Sequence, residues 1–131
     1  MKKLTAAWLK KAEDDLGTAR KLLKARRAFN DQICYHYQQA AEKFLKAVLQ
    51  ELGQAIPYTH DLRRLINLLL PTNTAWRRLR RGAPQLTRYA GEYRYPGITA
   101  TRRQARAAFT KALAFRELTR RQLGLRTRRH Q

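Results

Sequence analysis

Three polar side chains could contact a phosphate or a nucleobase. They lie in one stretch whose apolar residues have the period of a helix. His36, Gln39 and Lys43 are separated by three and four residues, so a helix places them side by side. An imidazole, an amide and an ammonium supply the hydrogen-bond donors that phosphate oxygens and base edges accept. The same pattern is typical of a solvated polar face or of a dimer contact, and at this point both alternatives stay open.

A second candidate binding site is a tyrosine-rich segment around Arg94. Tyr93 and Tyr95 flank this arginine directly. Aromatic rings stack on nucleobases and a guanidinium pairs with phosphate, so the combination suits single-stranded nucleic acid. The structural alternative is that the tyrosines pack the loop onto the protein, while Arg94 forms an ion pair with Asp15 or Glu92.

The second half of the chain is strongly basic. Lys and Arg number 29 against 9 Asp and Glu, for a net charge of +20. Residues 1–70 hold 13 basic and 7 acidic residues, which is +6, whereas residues 71–131 hold 16 and 2, which is +14. This balance favours a polyanionic partner, either nucleic acid or an acidic protein, although an arginine-rich composition alone also produces solvated arginines. The arginines that we expect to form this surface are Arg77, Arg78, Arg80, Arg81, Arg102, Arg103 and Arg106.

Four further polar residues are assigned structural roles. Asp15 falls within the apolar stripe of the first helical stretch, where an unpaired carboxylate is costly. We therefore expect a partner from another helix, either a tyrosine hydroxyl or an arginine. Thr59 is expected to cap a helix that begins at His60 and Asp61. Capping is favoured over anion binding there because Asp61 already places a negative charge at that helix end.

Cysteine and histidine usage predicts neither a metal site nor a cofactor. Cys34 is the single cysteine and is expected in the core, and the three histidines have no regular spacing. No apolar run approaches the roughly 20 residues of a membrane span, and no signal-peptide pattern is present. We expect a cytoplasmic protein that makes no membrane contact.

Hydrophobic periodicity predicts an all-α protein, an up-and-down bundle of about five helices. Two long antiparallel helices form a hairpin through a short turn, and the other helices are shorter. The predicted helices cover about 4–26, 33–52, 60–70, an interrupted stretch at 76–86, and 101–123. Gly53 and Gly124 are expected to end helices, and Thr101 with Gln104 fits a capping box. Residues 1–123 are predicted to form a single domain, and residues 124–131 a basic, flexible tail.

Four sequence blocks resemble the HEPN domain in their order and spacing, and the resemblance covers nearly the whole chain. The blocks are Trp8 with Ala12-Glu13-Asp14-Asp15-Leu16, Cys34-Tyr35-His36-Tyr37-Gln38-Gln39-Ala40-Ala41-Glu42-Lys43, Pro57-Tyr58-Thr59-His60-Asp61-Leu62, and Tyr93-Arg94-Tyr95-Pro96. The resemblance implies a helical bundle that commonly forms a homodimer and is linked to nucleotides or RNA. It also implies a genomic association with small nucleotidyltransferases, often as toxin–antitoxin pairs.

Some branches of the HEPN family are metal-independent ribonucleases, marked by an arginine that precedes a histidine by four to six intervening residues. His36, His60 and His130 all lack an arginine at that spacing, and the nearest case, Arg126 before His130, has three intervening residues. No catalytic residue is therefore assigned. Without this signature, the resemblance and the basic second half together favour a noncatalytic HEPN binding protein that engages nucleotide or RNA, a paired small nucleotidyltransferase, or both. Two alternatives stay open: a HEPN ribonuclease toxin with a non-standard site, and a pure protein-interaction module with an acidic partner.

Overall fold

The structure, a computed structural model, describes residues 1–127. This part of the chain forms five α-helices and two short 3₁₀ helices, with no β-strand among them. The α-helices are α1 (Lys3–Leu23), α2 (Asn30–Glu51), α3 (Leu62–Leu69), α4 (Ala83–Arg88) and α5 (Arg102–Gln122), and the 3₁₀ helices are Thr74–Leu79 and Glu92–Arg94. The predicted all-α helical bundle is confirmed. Part of the predicted tail, including His130, lies outside the described residues.

Helices α1 and α2 form the predicted antiparallel hairpin. The face of α1 that meets α2 carries buried residues at three- and four-residue steps, namely Thr5, Leu9, Ala12, Leu16 and Ala19. The start of α1 lies beside the end of α2, where Glu51 Oε1 accepts hydrogen bonds from the Lys2 amide at 3.0 Å and from Thr5 Oγ1 at 2.8 Å. Gly53 follows with a φ of +70°, a conformation that glycine adopts without steric strain, and α2 ends there as predicted.

Helix α5 packs on α2 and also reaches α1. The rings of Tyr37 and Phe109 lie 5.5 Å apart between α2 and α5. Arg116 Nε of α5 donates to Glu13 Oε1 of α1 at 2.7 Å. The predicted capping box is confirmed at the start of α5, where Thr101 Oγ1 accepts from the Gln104 amide at 3.1 Å. These contacts make α1, α2 and α5 the frame of the bundle.

The segment between α2 and α5 differs from the prediction in two places. Helix α3 begins at Leu62, and its N-cap is Asp61, whose side chain accepts from the Arg63 and Arg64 amides. The expected cap at Thr59 was wrong, because the Thr59 hydroxyl instead accepts from the Asp61 amide and shapes the preceding turn. The predicted interrupted stretch is a 3₁₀ helix followed by α4, which begins with proline in its first turn.

Helix α2 is buried nearly all round, which the periodic pattern did not indicate. Its buried residues include Gln38, Gln39, Glu42 and Lys46. Gln39 is only 9% exposed, so the alternative of a solvated polar face does not hold for this residue. Polar groups buried in this way require hydrogen-bond partners, and α2 supplies several of them itself.

Candidate functional site

An open groove of about 490 Å³ lies where the first turns of α2 face the loop that leads into α5. We call it the α2 groove. Its walls are Asp31, Gln32, Tyr35 and His36 from α2, together with the consecutive residues Tyr93 to Thr99. The structure thus brings together four residues that the sequence nominated in two separate stretches, His36 and Tyr93-Arg94-Tyr95.

Hydrogen bonds fix both ends of this loop, one to α2 and the other to α5. Asp31 Oδ1 accepts from the Ala100 amide at 2.6 Å, which fixes the end of the loop beside the first turn of α2. Gln104 Nε2 donates to Tyr93 Oη at 3.1 Å, which fixes its beginning beside α5. Between these points Gly97 turns the chain with a φ of +100°, a conformation that residues with a side chain rarely adopt. The groove therefore has a defined wall.

The two tyrosines beside Arg94 have different environments. Tyr95 is 70% exposed, whereas Tyr93 is only 6% exposed and lies edge-on to Tyr89 with 4.8 Å between ring centroids. The guanidinium of Arg88 covers the Tyr93 ring at 5.3 Å. Tyr93 thus packs the loop onto the bundle, and Tyr95 presents its ring to solvent beside the groove.

Arg94 does not form the ion pair that the structural alternative predicted. Its guanidinium carbon lies 5.1 Å from the centre of the Tyr35 ring. Glu92 is paired with Arg88 instead, whose Nε lies 2.6 Å from Glu92 Oε2, and Asp15 has partners on α2. A guanidinium stacked on an aromatic ring keeps its edge available for hydrogen bonds to an anion.

Asp15 is held by two residues of α2. His36 Nδ1 lies 2.9 Å from Asp15 Oδ1, and Lys43 Nζ lies 2.5 Å from Oδ2. The expected tyrosine or arginine partner was wrong, because the histidine and the lysine lie two helical turns apart on the side of α2 that α1 crosses. Burial alone would raise the pKa of Asp15, but the hydrogen bonds and positive charges of these two partners lower it below its ordinary value.

The ionised Asp15 carboxylate has a consequence for His36. A carboxylate only accepts hydrogen bonds, so Nδ1 of His36 carries the proton that it donates. The His36 ring also meets the Tyr35 ring edge-on, with 5.5 Å between centroids. An oriented imidazole therefore lies at one edge of the α2 groove, next to the ring on which Arg94 stacks.

The other two nominated residues of α2 are not free for a ligand. Lys43 is engaged with Asp15, as described above, and only 21% of its side chain is exposed. Gln39 is 9% exposed, and its Nε2 donates to Gln38 Oε1 at 2.7 Å. Of His36, Gln39 and Lys43, only His36 lines the α2 groove.

A buried polar network that the sequence analysis missed is centred on Glu42. Glu42 is paired with Lys46 Nζ at 2.8 Å and with His60 Nδ1 at 2.7 Å. Gln38 Nε2 donates both to Glu42 Oε1 and to the His60 carbonyl oxygen. The spacing of Gln38, Glu42 and Lys46 by four residues could have indicated a chain of contacts along one helix. This network fastens the segment before α3 to α2, which gives His60 a structural role.

The nominated arginines fall into two groups on the protein. Arg102 lines a small depression with Arg26, Arg27 and Asn30 at the start of α2, and Arg103 is exposed beside it. Arg78 instead lines depressions with residues 110–121 of α5. Twelve residues of α5 separate Arg102 from Ala114, which is about 18 Å of helix. The exposed Arg77 and Arg81 lie near Arg78 in the chain, and the exposed Arg106 lies on α5 between the two groups. That these arginines bind a polyanion stays a prediction.

Residues 1–127 contain neither a candidate metal site nor a candidate membrane span. No group of three or more His, Cys, Asp and Glu side chains in this range is arranged to hold a metal ion. None of the helices there has both the length and the apolar character that a membrane span requires.

Comparison with known proteins identifies the family. A family model described as the HEPN domain matches residues 5–122, which is most of the chain. Searches of curated proteins and of solved structures found no significant match. HEPN domains have nucleotide- or RNA-related roles at the level of the family, and they often dimerise. The matched range, together with the all-helical bundle that contains it, establishes that this chain belongs to the HEPN domain family.

Proposed function

We propose that this HEPN domain binds single-stranded RNA or a nucleotide in the α2 groove without cleaving it. The observation that carries the proposal is the pairing of an exposed ring with a stacked guanidinium on one wall. Tyr95 is 70% exposed, and the adjacent Arg94 lies over Tyr35. A ring that faces solvent stacks on a base of any sequence, and a guanidinium beside it pairs with a phosphate.

The size of the groove is consistent with this ligand. Its volume of about 490 Å³ falls within the range of roughly 300–1,000 Å³ that is typical of small-molecule sites. Asp31 is the acidic residue in the lining, and its carboxylate already accepts the Ala100 amide. A phosphate would avoid this carboxylate and favour the side of the groove where Arg94 lies.

The surrounding charge supports a nucleic acid rather than an isolated nucleobase. Arg26, Arg27 and Arg102 line the small depression at the start of α2, where Asp31 also lies. If one base of an RNA chain occupied the α2 groove, the phosphates of the neighbouring nucleotides could contact these arginines. Each phosphate contact of this kind releases counterions and makes the affinity depend on salt.

The experiment compares two matched pairs of variants in fluorescence anisotropy with a labelled single-stranded oligouridylate. Tyr95→Ala is compared with Tyr58→Ala, because Tyr58 is 98% exposed and does not line the groove. Arg94→Ala is compared with Arg63→Ala, an exposed arginine on α3. Loss of one stacked base is worth about 1–3 kcal/mol, so we expect about tenfold weaker binding for the two groove variants. Equal affinities within each pair would contradict the proposal.

A ribonuclease is the second candidate, and the contact between His36 and Asp15 favours it. A carboxylate that orients an imidazole at the edge of a binding groove is an arrangement used in acid–base catalysis. We prefer a noncatalytic role because the arginine-to-histidine signature of the family's ribonucleases is absent from the sequence. Incubation of RNA with the wild type and with His36→Ala decides between them. Cleavage by the wild type that His36→Ala abolishes would establish the ribonuclease.

The partners implied by the family resemblance belong to the same proposal. We propose that the chain forms a homodimer and that a small nucleotidyltransferase is its protein partner. Light scattering on the purified protein measures the first, and a value for a single chain across concentrations would contradict it. Co-expression with the adjacent reading frame, followed by co-purification, tests the second.

A further inference from the structure

A second groove runs along α5, where the Thr74–Leu79 3₁₀ helix lies against it. It consists of two adjoining depressions of about 290 and 160 Å³, which share Arg78, Leu79 and Ala114 in their walls. We call this feature the α5 groove. It has no lining residue in common with the α2 groove. Its function is therefore a separate question.

The α5 groove combines an apolar floor with a positively charged rim. Leu79 and Ala114 are partly exposed along the floor, which the nearly buried Leu118 extends. The rim carries Arg78, Lys111 and Arg121. The exposed Arg77 directly precedes Arg78, and the exposed Arg81 follows it by three residues. An apolar strip bordered by cations is complementary to a helix with one apolar face and acidic flanks.

The length and shape of the α5 groove also suit a helix. Lys111 and Arg121 lie at its ends, and ten residues of α5 span about 15 Å, or roughly three helical turns. Ala114 in the middle has a small side chain, which lets another backbone approach closely. Gly82 forms part of one wall, and the Lys111 side chain packs against it. A side chain at position 82 would crowd this lysine, because its Cβ would lie 3.0 Å from Lys111 Cε.

The lining of the α5 groove favours a peptide over RNA. Phe115 is the aromatic residue in its walls, and it is only 2% exposed, so it offers a base little surface for stacking. This differs from the α2 groove, where Tyr95 is exposed. The acidic residue of the lining, Glu117, is paired with Arg121 at 2.8 Å. That pair is exposed and spaced by four residues, so a carboxylate from a partner can replace it with little loss.

We propose that the α5 groove binds an acidic amphipathic helix of a partner protein. The apolar side chains of that helix would lie on Leu79, Ala114 and Leu118, and its carboxylates would pair with Arg78 and Lys111. The inference stands independently of nucleotide binding in the α2 groove.

The test uses two synthetic peptides of about 12 residues with identical composition. One peptide places leucines at helical positions i, i+3, i+4 and i+7 among glutamates, and the other has the same residues in an order that breaks the apolar face. Anisotropy at about 150 mM salt limits purely electrostatic binding. We expect the amphipathic peptide to bind at least about tenfold more tightly than the scrambled one, which corresponds to about 1.4 kcal/mol.

Variants then locate the peptide on the protein. Arg78→Glu reverses a charge on the rim, and Ala114→Trp fills the floor without changing charge. Arg103→Glu is the matched control, because it makes the same charge change at an exposed position of α5 outside the groove. We expect about tenfold weaker binding for the two groove variants and less than about twofold for the control.

Three results would overturn the inference. The two peptides could bind equally, or Arg103→Glu could weaken the amphipathic peptide as much as Arg78→Glu does. In the third case Arg78→Glu would leave peptide binding unchanged and weaken oligouridylate binding, which would make the surface a nucleic-acid site. Tyr95→Ala should leave peptide binding unchanged, so failure here is distinguishable from failure of RNA binding in the α2 groove.

Discussion

His36 on α2 donates a hydrogen bond from Nδ1 to Asp15 Oδ1 on α1 at 2.9 Å, and this contact joins the frame of the bundle to the edge of the α2 groove. Lys43 binds the other oxygen of the same carboxylate. Asp15 therefore serves both the packing of the two long helices and the orientation of a groove residue. Its charge state should influence the stability of the fold.

The first prediction concerns Asp15→Asn and pH. The pKa of Asp15 in the folded protein lies below its ordinary value of 3.8, so the ionised group stabilises the fold fully above that value. This stabilisation is lost as the pH falls through the lowered pKa. We expect Asp15→Asn to reduce the free energy of unfolding by about 2 kcal/mol at neutral pH. The difference from the wild type should shrink as the pH falls below 3.8 and through the lowered pKa.

Urea unfolding at a series of pH values measures this difference. Asp14→Asn is the control, because Asp14 forms an exposed pair with Lys10 and should contribute less than about 1 kcal/mol. The interpretation fails if Asp15→Asn and Asp14→Asn have the same stability at neutral pH.

The second prediction concerns the buried network of α2. Glu42→Gln removes the charge that faces Lys46 and His60, and it leaves the buried Lys46 ammonium without its carboxylate. Breaking a buried pair by removing one partner costs about 3–5 kcal/mol, so a loss in this range is expected in thermal or urea unfolding. Glu92→Gln, in the exposed pair with Arg88, should change the stability by less than about 1 kcal/mol. Similar losses for both variants would show that the Glu42 network contributes little.

The third prediction separates the roles of Arg94 and Tyr95 by salt dependence. If Arg94 contacts a phosphate, Arg94→Ala should lower the slope of log affinity against log salt by about one. Tyr95→Ala should weaken binding at every salt concentration and leave the slope unchanged, because stacking releases no counterion. Titrations with oligouridylate from low to moderate ionic strength provide both slopes. An unchanged slope in Arg94→Ala would place the phosphate elsewhere.

The fourth prediction concerns the thiol of Cys34. Burial raises its pKa to about 12, and a hydrogen bond with Tyr89 offsets only part of that rise. A thiolate is the reactive form, so the native protein should react slowly with a thiol reagent at about pH 8, whereas urea-unfolded protein should react rapidly. Thr18→Cys adds a cysteine at an exposed position of α1 and serves as the control for reagent access. Fast labelling of Cys34 in the native wild type would contradict its burial.

The elements whose ends depend on local chemistry could be predicted from the sequence. Gly53 ends α2 and the Thr101 capping box begins α5, because each involves only a few consecutive residues. The burial of Cys34 also followed from its place at the edge of an apolar arc. The cap of α3 was placed wrongly because Thr59 and Asp61 are both capable of capping, and backbone geometry decides which one does so.

The candidate site was only partly predictable. Helical spacing indicated His36, and residue type indicated Arg94 and Tyr95. Tyr35, whose ring lies under the Arg94 guanidinium, was not indicated as a site residue. Gln39 was assigned to a polar face because periodicity assumes that one side of a helix meets solvent. That assumption failed for α2, which is covered on several sides.

Periodicity, capping residues and ordered motifs along the chain therefore predicted the all-helical class, several helix ends and the family. Helix packing, by contrast, brings His36 to the loop of Arg94 and places Asp15 against His36 and Lys43. These contacts could not be predicted from the sequence because they join residues that are far apart along the chain. Their geometry depends on how the helices pack together, and local backbone preferences do not specify that packing.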